Sequence, residues 1–181
     1  MITRVARQAL QSYLTWPALN TPNTAKCLFS ESIKNTAGTT MWFYYMGNKM
    51  IYRVDFSRSA TTSGVVIGSG NTPPTQDDYM LENLITSASV IGVVNAVRLI
   101  DDGKPCLIMN VTVMNESGET ITIREIGLIS YDYFCATSQT GGSASNQNVL
   151  VDRTLLTSPV TLASGDCTDI EYKIKVDMAF M

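Results

Sequence analysis

The sequence predicts a mainly β protein: an antiparallel β-sandwich, jelly-roll or immunoglobulin-like, with an N-terminal amphipathic helix and one short inserted helix. Three observations predict it. Segments such as 107–113 and 170–180 alternate apolar and polar residues with period two, the mark of a strand with one buried face. Short polar turns rich in Gly, Asn, Asp and Pro separate these segments. Only two stretches, 2–14 and 76–85, carry helical spacing. A closed barrel would satisfy the strands equally, but the helix expected at 76–85 interrupts their run and favours the sandwich. The organisation read from this is an arm of helix and linker at 1–25, followed by a β-sandwich domain at 26–181.

In chain order, Ile2, Val5, Ala6, Ala9, Leu10, Tyr13 and Leu14 line one helix face, with Arg4, Arg7, Gln8 and Gln11 on the other. Trp16-Pro17 ends this helix, because a residue before proline avoids the α region. Alone, a helix this short is marginal in water, so it must dock on its own sheet or on a neighbour. Residues 18–25 read as a loop. Lys26–Ser30 reads as a short strand, and Met41–Met46 as an aromatic one. Gly47-Asn48 reads as a turn into a partner strand at Met50–Phe56. Val65-Val66-Ile67 is a short strand entering Gly68-Ser69-Gly70-Asn71-Thr72-Pro73-Pro74. This is no phosphate loop, since no Lys-Ser/Thr follows and two prolines interrupt it. Thr75 and Asp78 have capping-box spacing for a helix from Gln76 to about Ile85, with Leu81, Leu84 and Ile85 inward.

Val90–Leu99 is apolar on both faces and reads as a strand covered on both sides. Asp101-Asp102-Gly103 is a turn. The stretch around which the chain is organised is 105–129. It reads as a hairpin with a turn at Asn115–Gly118, where Gly118 supplies positive φ and Asn115 folds its side chain onto the local backbone. On the return strand, Ile121 and Ile123 share a face, yet Ile126 and Leu128 also want the core. A β-bulge near Arg124–Glu125 resolves that conflict and leaves both charges on the outer face. An ion pair with a neighbouring subunit is the sharper alternative for them. Residues 136–148 read as a mobile polar loop, Val149–Leu156 as a strand disturbed at Asp152-Arg153, and Pro159 and Gly165 as brackets of a turn. The last strand points Ile170, Tyr172, Ile174, Val176, Met178 and Phe180 inward.

Composition excludes more than it assigns. Histidine is absent, which removes the commonest general base and the commonest zinc ligand. Cys27, Cys106, Cys135 and Cys167 form no C-x-x-C pair and read as free thiols. Asp77, Asp78 and Glu82 lack calcium-loop spacing and read better as charges at a helix start. Asp101 and Asp102 would be the best carboxylate pair for an enzyme, but a turn explains them. The charge of −3 with no basic run gives no footprint for nucleic acid. No apolar run approaches the ~20 residues that span a bilayer, and no signal peptide is expected. The glycosylation triplets at Asn110 and Asn115 carry no weight without secretion. Charged residues are only 16% of the chain, as on surfaces that partners cover.

Three segments in order, VVIGSGNTPPTQDDYMLEN (65–83), ITIREIGLI (121–129) and VLVDRTLLTSPVTLASGDCTDIEYKI (149–174), resemble a module of tailed-bacteriophage virion proteins. That family includes tail-fibre and tail-collar-like proteins and capsid auxiliary proteins. The resemblance covers about residues 62–181 and departs at Ser69, where the pattern has Thr. It implies a structural virion protein without catalysis or cofactors, located in the virion. Its partners would be copies of itself and other phage virion proteins of the capsid, portal, neck or tail, with no nucleic acid and no membrane. The expected assembly interface is Ile2, Val5, Leu10, Tyr13, Leu14 and Trp16. The alternative is a carbohydrate-binding or adhesin module that uses Trp42, Phe43, Tyr44 and Tyr45, or a 131–146 loop with Tyr131, Tyr133 and Phe134.

Overall fold

The computed structural model describes residues 3, 26–27, 32–45, 64–101, 104–136 and 144–175. Nine strands lie within them: β1 (Lys26–Cys27), β2 (Ile33–Lys34), β3 (Thr40–Tyr45), β4 (Gly64–Gly68), β5 (Ala88–Asp101), β6 (Lys104–Asn115), β7 (Ile121–Ala136), β8 (Ala144–Leu162) and β9 (Cys167–Lys175). Every pairing between them is antiparallel. They form a six-stranded sheet, β1 to β4 with β7 and β8, and a three-stranded sheet in the order β5-β6-β9. β7 is the spine of the larger sheet. β8 runs along one of its edges, while β4 pairs with Glu125–Ile129 and β3 with Cys135–Ala136 on the other.

Alternation decides which side chains are buried. Met109, Val111 and Val113 of β6 and Ile170, Tyr172 and Ile174 of β9 are all at or below 5% exposure. They join Val65 and Ile67 of β4, Ile123, Ile126 and Leu128 of β7, and Leu162 of β8 in one cluster drawn from both sheets. Burial of each such aliphatic side chain stabilises by about 1.5–3 kcal/mol. A second cluster lies on the opposite face of the larger sheet. There Val66, Ile129 and Leu150 are covered by Leu81, with Met80 and Leu84 beside it.

The stretch 105–129 is two strands, as expected, but not a hairpin. β6 pairs with β5 and β9, and β7 with β3, β4 and β8, so residues 116–120 cross between sheets. Asn115, fully buried, builds that corner. Its Oδ1 accepts from Ser117 N at 3.0 Å, the expected fold-back onto local backbone. Its Nδ2 donates to the carbonyls of Glu119, Leu162 and Ala163 at 2.8–3.1 Å. The corner is thereby tied to the β8–β9 turn, where Gly165 takes φ +81°. Gly118 is not among the glycines with positive φ.

The helix expected over 76–85 does not form. Thr75 and Asp78 make one half of a capping box, Thr75 N donating to Asp78 Oδ2 at 3.0 Å, but in place of the reciprocal bond Thr75 Oγ1 donates to Asp78 Oδ1 at 2.8 Å and Asp78 N to the Thr75 carbonyl at 3.4 Å. However, the amides of Glu82 and Asn83 turn away to a carboxylate of β7, and Leu84 bridges to Gly68. Tertiary acceptors thus replace the i→i−4 bonds that a helix needs. The apolar positions still turn inward: Leu81 is buried and Leu84 and Ile85 are partly buried. Cover on both sides of Val90–Leu99 fails at Ile91, which is 54% exposed in a bulge of β5. Residues 144–148, expected in a polar loop, begin β8. Pro159 lies within β8, in an exposed excursion at 157–159 opposite the β7 bulge. Thr3, within the stretch expected as the N-terminal helix, is not helical and bonds to β8; the rest of that stretch and the expected 50–56 strand lie outside the described residues.

Candidate functional site

The three segments that carry the resemblance meet at one place, a charge cluster beneath the 69–84 loop. The bulge in β7 is where the alternation required it: Ile123 pairs with Val160 and Glu125 with Leu155, which leaves Arg124 out. Arg124 is exposed, and the shift returns Ile126 and Leu128 to the core. Glu125 goes to the other face, as expected, but that face is covered. Glu125 is 0% exposed, and the expectation of a solvated charge, or of a pair with a neighbouring subunit, is corrected. A bare carboxylate there would cost several kcal/mol, so it must be paired.

Its partner is Arg153 of β8. Arg153 Nε donates to Glu125 Oε2 at 2.6 Å. Nη1 donates to Asp78 Oδ2 at 2.8 Å and Nη2 to the Thr72 carbonyl at 3.1 Å. Glu125 also accepts from Gly70 N and Asn83 N, both at 3.0 Å, and from Glu82 N at 3.3 Å. Glu82 in turn accepts from Asn71 N and Thr72 N at 2.8 and 2.9 Å, and lies 3.6 Å from Arg153 Nη2. One guanidinium and two glutamates therefore hold the loop at both ends and in its middle.

The electrostatics follow this geometry. Burial raises the Asp78 carboxyl, but the bonds from Arg153 and Thr75 outweigh it and hold it below its ordinary value. The Thr72 hydroxyl and amide, together with Asn71 N and the nearby Arg153, outweigh desolvation and hold Glu82 low. Burial lowers Arg153, and its bonds to Asp78 and Glu125 more than reverse that. A second polar pair spans the sheets. Tyr172 of β9 donates to Asp152 Oδ2 at 2.7 Å, and burial with the adjacent Asp152 pushes its hydroxyl well above 10.0.

Glycine is required here for space rather than for φ. A Cβ on Gly68 would sit 2.5 Å from Glu125 Oε1, and one on Gly70 2.5 Å from Glu82 Cβ. A Cβ on Gly127 would meet Leu81 Cδ2 at 2.8 Å. The glycines of the first two motifs are thus the seat of the carboxylate and of the loop.

This cluster consumes its own charges. The bound ends of Asp78 and Glu82 serve Arg153 and loop amides, not a helix start. Among the described residues, no group of His, Cys, Asp and Glu has the arrangement to hold a metal ion. Of the other sequence candidates, Tyr131, Tyr133 and Phe134 lie on strand β7 rather than on a loop, and Trp42 to Tyr45 lie on β3. Asp101 closes β5 and Asp102 lies outside the described residues. Ile2, Val5, Leu10, Tyr13, Leu14 and Trp16 also lie outside them. Cys106, buried, and Cys167, exposed, are not in disulfides. The pairing of Glu125 with Arg153 had one signal in the sequence, two charges breaking the alternation of two apolar strands. Compared with known protein families, curated proteins and solved structures, the chain matches none.

Proposed function

We propose that this chain is a structural virion protein of a tailed bacteriophage. In this reading it is an assembly subunit that decorates or completes the capsid, neck or tail through contacts with copies of itself and with other virion proteins. It performs no catalysis, takes no cofactor and binds neither nucleic acid nor membrane. The two sheets are the halves of a β-sandwich, with the shared apolar cluster as its filling.

One observation carries the reading. The three motifs behind the resemblance interlock through Glu125, Arg153, Asp78 and Glu82, with glycines shaped to fit. They are parts of one device that fixes a surface loop, and a loop ordered before contact suits protein–protein docking, since it saves ordering entropy on binding. The low charge content agrees with a surface that partners cover.

The test is the solution mass of the purified chain by light scattering, with and without residues 1–16. A defined oligomer that dissociates on truncation, or in Leu10→Asp and Tyr13→Asp variants, supports the reading. A stable monomer that binds immobilised glycans moves the chain to the carbohydrate-binding class.

A further inference from the structure

The 69–84 loop is held by two sets of bonds that differ in their access to water. At its base, the amides of Gly70, Glu82 and Asn83 converge on Glu125, which is 0% exposed. Backbone bonds close the base against β4, from Ser69 N to the Asn83 carbonyl at 2.8 Å and from Ile85 N to the Ile67 carbonyl at 2.9 Å. Leu81 and Leu84 seat it on Val66, Ile129 and Leu150. The tip, residues 71–78, is different. All of it is exposed except Pro74 and Asp78, which are half-buried. The Asn71 and Thr72 amides bond to Glu82 Oε2, on a side chain that is 34% exposed, and the bonds between Thr75 and Asp78 are open to solvent as well. Water competes for such bonds, whereas burial strengthens those of the base.

Arg153 sets what each opening costs. Its Nε sits on Glu125, while Nη1 and Nη2 reach outward to Asp78 and to the Thr72 carbonyl. Lifting the tip passes the Nη groups and Asp78 to water and leaves Arg153 paired with Glu125. Lifting the base strips the buried Glu125 of its amides and uncovers the apolar cluster, which is far more costly. Tyr79 marks the far end of the tip. Lys34 Nζ lies 5.1 Å from its ring centroid, and Gly38 approaches so closely that a Cβ there would sit 3.3 Å from the ring.

We infer that the loop is a two-stage strap: residues 71–78 open as a unit, hinged between Gly70 and Asn71 and between Asp78 and Tyr79, while the base stays closed on Glu125. Segments with few buried apolar contacts and exposed hydrogen bonds are the ones that open locally. The device lets the surface over Arg153 change shape without exposing Val66, Ile129 and Leu150. It goes beyond the assembly reading and does not depend on it.

The experiment is native-state hydrogen exchange on the full chain, read amide by amide by NMR. Protection at Asn71 and Thr72 should be at least about tenfold lower than at Gly70 and Asn83, with the step falling between the adjacent amides of Gly70 and Asn71. A step smaller than about tenfold means that the loop opens as one piece, and it overturns the inference. Asp78→Asn supplies a second test, because it weakens the tip's hold on Arg153 and leaves the base untouched. Protection at Asn71 and Thr72 should fall by at least about threefold while Gly70 and Asn83 keep theirs. A parallel fall at all four amides, or a change at none, overturns the inference.

Discussion

Arg153→Met is the sharpest perturbation of the charge cluster. It keeps much of the side-chain volume and removes the cation from Glu125 and Asp78. Removing one partner of a buried pair costs about 3–5 kcal/mol, because the other charge stays behind. Here the cost falls near the lower end, about 3 kcal/mol, because Glu125 keeps the amides of Gly70, Glu82 and Asn83. For a chain of this length that corresponds to a melting temperature lower by about 6–12 °C. The assay is equilibrium urea unfolding followed by circular dichroism, repeated for Glu125→Gln and for the double variant. Because the two side chains touch, the double variant should cost less than the sum of the singles, by about 1–3 kcal/mol. A cost under about 1 kcal/mol for Arg153→Met, or strict additivity, refutes the reasoning.

Three further predictions use the same assay. Gly70→Ala and Gly127→Ala should each destabilise by about 1–3 kcal/mol by overpacking, whereas Gly118→Ala, whose Cβ meets nothing within 4 Å, should change stability by under about 0.5 kcal/mol. Asn115→Ala should cost about 2–3 kcal/mol, because the carbonyls of Leu162 and Ala163 lose their side-chain donor in a buried corner. The pH profile should have two limbs. Asp78 is held below its ordinary 3.8, so its contribution is present above that value and is lost as pH falls through the folded pKa. Tyr172 is raised above 10.0, so its contribution is present below pH 10.0 and is lost as pH rises toward the folded pKa. Tyr172→Phe should flatten the alkaline limb and leave the acid limb in place.

Local pattern carried the strands, and non-local partners carried what the pattern missed. Alternation is a property of each strand, so the buried faces of β6 and β9 and the bulge at Arg124 were legible. Which strand pairs with which is not local. β6 and β7 follow one another through a polar turn, and the donors of Asn115 that send them into different sheets are satisfied more than 40 residues away, at Leu162 and Ala163. The 76–85 stretch shows a true ambiguity. Thr75 and Asp78 bond to each other in a capping box and in this loop alike, and only Glu125, over 40 residues on, draws the amides of Glu82 and Asn83 out of a helix. Glu125 itself was assigned to the correct face, but the loop that covers that face could not be seen from the strand alone.

The central claim is that the chain is part of a particle. Its most direct test is quantitative peptide mass spectrometry on phage particles, banded by density gradient from a culture that produces the chain and washed in high salt. The account predicts that peptides of this chain co-band with the particles at a fixed copy number per particle. A chain found only in the soluble fraction at the top of the gradient contradicts it.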